Sequence, residues 1–186
     1  MTFELHTKRL LLRPMRLEDA EGMYELNLAE DVYPNTGDRP FRNIQEAKEL
    51  ILNYNQFEKY KMGRFTIIDK KSNEYAGWCG LKYLEPTNEV DLGYRIMPVF
   101  RAKGIAYESA AKCLEYGFDN LSLSKIIGRA TKENHASIAI LKKTGMTFEN
   151  EFIDHDTTCV QYGITRQEWT NNKHQINTDN NHNQIS

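Results

Sequence analysis

Residues 89–131 read as strand, helix, strand, and that one crossover forces a parallel step into a sheet the rest of the chain would build antiparallel. Glu89 to Met97 (EVDLGYRIM) alternates with the period of a strand. A short loop from Val99 to Lys103 follows, Gly104 opens a helix that runs to about Phe118, and Ala106, Ala110, Cys113, Leu114 and Gly117 form its apolar face. Lys125 to Thr131 (KIIGRAT) is the returning strand.

The flanking segments fit around this unit. Lys8 to Met15 is an apolar run with charged flanks, read as the first strand, and Pro14 near its end suits an edge or a strand exit. Leu17 to Leu28 has helical spacing. Asp31 to Pro40 is turn-rich and reads as a loop, and a second helix is expected from Asn43, a candidate N-cap, to about Tyr60. Arg64–Asp69 and Tyr75–Leu84 form a hairpin around Lys70 to Asn73, with Gly77 and Gly80 as candidate bulges. Asn134 to Lys143 is helical and closed by Gly145, a C′ glycine, and Met146–Ile153 with Thr158–Thr165 make a closing pair of strands. The order is β-α-α-β-β-β-α-β-α-β-β: one mixed α/β domain over residues 1–169, followed by a polar tail, 170–186, expected to be disordered.

Composition narrows the partners. A chain of 186 residues with 40% hydrophobic and 27% charged residues suits one ordinary globular core. The net charge of −2 and pI near 6.2 give no basic sheath, so no nucleic-acid partner is expected. Cys79, Cys113 and Cys159 form no CxxC pair, and they read as small buried residues. The five histidines show no ligand spacing, so no metal is expected. No apolar stretch approaches the length of a membrane span, no membrane partner is expected, and a reducing, cytoplasmic setting is the expectation.

The chemistry is carried by Arg101-Ala-Lys-Gly-Ile-Ala106. Unpaired amides at a helix N-terminus, with the positive end of its dipole, make a phosphate site. Gly104 permits close backbone approach, and Arg101 and Lys103 add positive charge. The segment is neither GxGxxG nor GxxxxGK[ST], which disfavours a dinucleotide fold and a P-loop. Alone, it could equally be a plain connection.

Five segments, in order across about residues 5–169, resemble the acetyl-CoA-dependent N-acetyltransferase superfamily (GNAT), and within it the ribosomal-protein N-terminal acetyltransferases. They are Thr7-Lys-Arg-Leu-Leu-Leu-Arg-Pro14, Asp91-Leu-Gly-Tyr-Arg-Ile-Met-Pro98, Arg101-Ala-Lys-Gly-Ile-Ala-Tyr-Glu108, Asn134-His-Ala-Ser137 with Leu141-Lys-Lys-Thr-Gly-Met146, and Tyr162-Gly-Ile-Thr-Arg-Gln-Glu-Trp169. The resemblance implies a three-layer fold with a mostly antiparallel sheet of about seven strands, a splayed parallel pair and about four helices. It implies acetyl-CoA as co-substrate: backbone at Ile96 and Met97 beside the pantetheine arm, amides of Arg101, Ala102, Lys103, Gly104, Ile105 and Ala106 under the pyrophosphate, and Asn134 beside the pantetheine, where it also suits an N-cap. Ala106 stands where the family carries a second glycine.

The reaction needs a neutral amine, a donor for the oxyanion and an exit for the thiolate. Asp91, on the cofactor strand, is the candidate base, with the alternative that it is a strand carboxylate paired to a neighbour; Asp154 and Asp156 come next. His155 reads as a surface residue. Leu141 replaces the tyrosine many superfamily members carry in the second cofactor helix. Ser137, one turn earlier, matches a serine of the N-terminal acetyltransferase branch and is the candidate acid, or else only a first-turn serine bonding backbone. Tyr94 and Tyr162 read as core or pocket lining. The function implied is acetyl transfer to a primary amine, on a protein N-terminus or a small molecule, by direct attack in a ternary complex. The protein would be a monomer or homodimer, with the 31–40 loop and the helix after it forming the acceptor wall. The alternatives are a non-catalytic acyl-CoA-binding sensor and a nucleotide-binding domain using the same loop.

Overall fold

The computed structural model describes residues 3–29 and 39–173. One eight-stranded sheet joins β1 (Leu5–His6), β2 (Leu10–Pro14), β3 (Arg64–Asp69), β4 (Glu74–Leu84), β5 (Glu89–Ile96), β6 (Lys125–Thr131), β7 (Thr147–Asp154) and β8 (Thr157–Thr165). The spatial order is β1-β2-β3-β4-β5-β6-β8-β7, and every pairing is antiparallel except β5 with β6. The α/β architecture and its parallel step therefore stand as expected. The additional strand is Leu5–His6, a two-residue edge against Leu11 and Leu12 that is too short to show alternation.

The helices are α1 (Ala20–Leu28), α2 (Ile44–Asn53), α3 (Gln56–Tyr60), α4 (Ile105–Glu115), α5 (His135–Lys143) and α6 (166–173). Asn43 caps α2, its side chain accepting the Glu46 amide. The single helix expected over Asn43–Tyr60 is broken at Tyr54, whose backbone is extended. The Tyr54 hydroxyl turns inward to accept the Arg64 amide at 2.8 Å, and burial holds the phenol above its ordinary value. A tertiary bond to β3 thus overrides helical periodicity. The helix from Gly104 is α-helical to Glu115 and continues past Phe118 as a π-type turn over 116–120 that brings the Tyr116 hydroxyl to the Lys61 carbonyl.

The bulge expected at Gly77 is present as a register shift between Ile67 and Ile68 on the facing strand, whereas Gly80 pairs in regular register with Arg64. The tail boundary expected at residue 170 falls inside α6: Trp169 stacks on Phe118 and Lys173 pairs with Asp119 at 2.7 Å. The remaining tail, 174–186, lies outside the described residues, as does most of the 31–40 loop.

The main core lies between the sheet and α4. Ile105, Ala110, Cys113 and Leu114 of that helix pack with Phe65, Leu81, Leu92 and Ile126 of the strands. A second cluster, Ala20, Met23, Ala47 and Ile51, joins α1 to α2. Among the described residues no helix is long and apolar enough to cross a membrane.

Candidate active site

The site follows from the parallel step. β5 stays laddered to β4 as far as Ile96 opposite Gly77, but on its other side it has one registered partner in β6, Asp91 opposite Ile127. Beyond Asp91 the parallel strands part. The N-termini of α4 and α5 close over the gap, and two clefts open from it.

The first cleft encloses about 520 Å³ and is lined by Ile96, Arg101, Ala102, Gly104, Ile105, Ala106 and Asn134, together with Tyr94, Ser137 and others. Gly104 is the N-cap of α4 at φ +77°, and no side chain caps the first-turn amides. α2 and α5 differ, each being capped by an asparagine. Ala102 is also left-handed, at φ +56°. Alternating handedness in a loop turns successive amides toward one concavity, and an uncapped helix start adds its dipole, which together suit a phosphate.

Two of the expected cofactor residues lie outside this lining. The Met97 amide is spent on the Ala76 carbonyl and its carbonyl on the Phe100 amide, each at 2.9 Å, so its backbone is already committed within the protein. Lys103 places its ammonium 5.5 Å from the centre of the Phe100 ring, and its carbonyl accepts from Arg9. The Ile96 carbonyl, within the lining, accepts from Arg101 Nε at 3.0 Å.

The loop is held by residues far from it in the chain, which no local pattern in the sequence marks. Arg9, from the segment before β2, donates to the Lys103 carbonyl at 2.7 Å and pairs with Glu108 of α4 at 2.6 Å. Glu108 also accepts from the Thr7 hydroxyl at 2.5 Å and the Arg9 amide at 3.1 Å. Burial opposes ionisation of Glu108, but the bonds from Thr7 and Arg9 outweigh it and hold the carboxyl below its ordinary value. A depressed carboxylate contributes above its unfolded value and is lost as pH falls through the native one, so the clamp persists across the neutral range. Arg9→Ala removes both the tie and a nearby positive charge. It is expected to weaken acetyl-CoA binding about tenfold, roughly 1.4 kcal/mol. The melting temperature should barely move, because the Arg9–Glu108 pair is partly exposed. Calorimetric titration and a melting curve check both halves.

The second cleft, about 330 Å³, adjoins the first and is lined by Asp91, Asp154, Arg64, Trp78, Phe152 and Cys159, among others. Tyr94, Arg95, Asn134 and Ser137 line both clefts and mark their junction. Asp91 sits at the point where the strands part, with Oδ2 held by Arg64 Nη2 at 2.5 Å. The same guanidinium donates to the carbonyls of Gly80 and Asp91, and it crosses β5 at Gly93, where a Cβ would stand 2.7 Å from it. So Asp91 is both at the site and paired to a neighbour. No local pattern in the sequence announces Arg64, which lies 27 residues away.

Ser137 stands in the first turn of α5, its amide capped by Asn134 Oδ1 at 3.0 Å, which gives Asn134 the N-cap role expected of it. The Tyr94 hydroxyl lies 2.9 Å from the Ser137 carbonyl and 3.1 Å from Ser137 Oγ. Tyr162 is buried in the core against Phe148. Asp154 is in the second cleft and bonds His155, whose side chain is 95% exposed; Asp156 is an exposed left-handed turn residue. Cys79 and Cys113 are fully buried 3.7 Å apart, and Cys159 is buried at the edge of the second cleft. No described residue of α2 lines the second cleft, and most of the 31–40 loop, the other part of the expected acceptor wall, lies outside the described residues.

The acetyltransferase (GNAT) domain model matches residues 9–147. The uncharacterised N-acetyltransferase p20 of Bacillus licheniformis is 31% identical, with 82% of this chain and 85% of that protein covered. Spermidine N(1)-acetyltransferase of Escherichia coli is 26% identical over 76% of this chain and 75% of its own length. The crystal structure of spermidine N-acetyltransferase from Vibrio cholerae in complex with CoA and spermine superposes with a TM-score of 0.75 at 20% identity, covering 88% of this chain and 99% of that one.

Proposed function

The chain belongs to the GNAT family of acetyl-CoA-dependent N-acetyltransferases, and from that premise we propose that it acetylates a primary amine by direct attack on the bound thioester, with an α-amine as the preferred acceptor. The observation that carries this reading is the meeting of two clefts at Tyr94, Arg95, Asn134 and Ser137. One cleft has the anion-binding loop, and the other reaches the same junction from the far side of β5. Donor and acceptor can therefore lie in contact within one ternary complex. A covalent acetyl-cysteine route has poor support. Cys79 and Cys113 are fully buried, and burial pushes the Cys159 thiol above its ordinary value, away from the thiolate a nucleophile needs.

The preference for an α-amine rests on Asp91. One of its oxygens is committed to Arg64, and the other carboxylate in the cleft, Asp154, is largely exposed. This arrangement suits an acceptor that is partly neutral without help. An α-amine titrates near 8, whereas a lysine-like or polyamine nitrogen near 10 is almost wholly charged at neutral pH. A protein N-terminus or an amino compound with an α-amine meets that condition. A non-catalytic acyl-CoA-binding domain would have no use for the second cleft.

Two measurements test the reading. Acetyl-CoA at about a hundredfold its Kd should add about 2.7 kcal/mol. For a chain of this size the melting temperature should rise roughly 5–10 °C, with ATP and NAD as inert controls. Thiol release at pH 7 should then be faster with short peptides bearing a free N-terminus than with spermidine. A clear preference for spermidine would overturn the acceptor assignment and leave the cofactor assignment standing.

A further inference from the structure

We infer that Tyr94 is a positioning residue for the departing sulfur: it fixes the Ser137 hydroxyl at the junction of the two clefts, so that Ser137 donates a hydrogen bond to the thiolate of coenzyme A. This rests on the cofactor reading above. It adds a residue that the sequence marks only as lining.

The site needs such a device because α5 offers no other hydroxyl at that depth. Leu141, one turn beyond Ser137, is 1% exposed and packs over Gly128, where a Cβ would stand 2.5 Å from its Cδ2. Position 141 is core, and the sulfur's partner must come from elsewhere. Ser137 is held from two directions. Asn134 fixes its amide from within the helix, and Tyr94 reaches its carbonyl and its Oγ from β5. A hydroxyl rotates freely on its own carbon, so a lone serine in a cleft has no set direction.

The phenol carries one proton and has two acceptors within reach. At rest it donates to the Ser137 carbonyl at 2.9 Å, and Ser137 Oγ donates to the phenol oxygen at 3.1 Å. When the C–N bond has formed and the C–S bond breaks, the electron pair of that bond goes to sulfur. Ser137 then swings its O–H to the sulfur, and Tyr94 swings its own O–H from the carbonyl to Ser137 Oγ. Every donor stays matched to an acceptor, and neither hydroxyl ionises. The proton lost by the amine nitrogen leaves to water, and the thiolate is protonated by water after release. Burial keeps the phenol well above its ordinary value, so it remains a donor throughout the neutral range.

The test needs no acceptor. Coenzyme A itself is bound, and its thiol is titrated by ultraviolet thiolate absorbance, with acetyl-CoA in its place as the blank. In the unaltered protein the bound thiol should titrate about one unit below free coenzyme A, the scale expected for a hydrogen bond to a charged group. Tyr94→Phe and Ser137→Ala should each move it back toward the free value, the double variant should move it no further, and Ser137→Thr should keep the lowered value. A Tyr94→Phe protein that binds coenzyme A and titrates like the parent would overturn the inference. So would a Tyr94→Phe effect that persists in the Ser137→Ala background. Loss of coenzyme A binding in the parent protein, read by melting temperature, would instead sink the cofactor reading itself.

Discussion

Gly104→Val should abolish measurable acetyl-CoA binding while leaving a folded protein. Two costs act at this position. The first is conformational: Gly104 sits at φ +77°, where an L-residue costs about 1–2 kcal/mol and a β-branched one more. The second is steric. Gly104 is at once the N-cap of α4 and part of the lining of the first cleft, so the valine methyls would stand against the amides meant for phosphate. A loop that escapes the strain by flipping Gly104 loses its amide concavity, and one that keeps it is blocked. Either way the loss should exceed about a hundredfold, roughly 2.8 kcal/mol.

Gly104→Ala separates the two costs. Its Cβ would meet only Arg9 Nη2, at 3.4 Å, the end of a long side chain that can shift. Alanine therefore carries mainly the backbone cost, and its affinity should fall between glycine and valine. Equal affinities for all three proteins would show that the pyrophosphate does not rest on this loop. A valine variant that has lost binding and also melts far lower would point to general unfolding rather than a blocked site.

The parts of this site that were legible in the sequence are those encoded by neighbours in the chain. The caps at Asn43 and Asn134, the glycine that opens α4 and the C′ glycine at 145 are each read from a few consecutive residues, and the structure places them as caps and turns. Strand and helix periodicity located β3 and β6 to the residue. What escaped depends on tertiary partners. Tyr54 breaks a helix because Arg64 lies 10 residues on, and Arg9 holds a loop 94 residues away. Tyr94 acquires a partner only because α5 folds back over β5. Family resemblance puts Met97 against the cofactor, but the strand ends one residue earlier and its amide turns to Ala76. Asp91 illustrates the boundary. Its place on the strand is local information, but the guanidinium that engages it is not.

Asp19→Ala should be the most destabilising single polar substitution in the described chain. Arg13 and Asp19 are 5% and 4% exposed and pair through two bonds of 2.8 Å. Asp19 Oδ2 also accepts the Arg16 amide at 2.8 Å and the Thr66 hydroxyl at 2.7 Å. One carboxylate therefore ties β2, the turn before α1 and β3 together. Removing it strands a buried guanidinium, a hydroxyl and an amide. Arg13 keeps only Glu18, at 3.2 Å and largely exposed, and the Pro14 carbonyl. Breaking a buried pair from one side costs about 3–5 kcal/mol, most of it the uncompensated charge. For this size that lowers the melting temperature by roughly 6–20 °C. Replacing both partners removes the stranded charge, so Arg13→Met combined with Asp19→Ala should cost clearly less than the sum of the two single substitutions. A denaturant series on the four proteins measures that coupling. Strict additivity would mean that the pair contributes nothing as a pair, and that α1 is held in place by its apolar contacts, among them Ala20 and Met23.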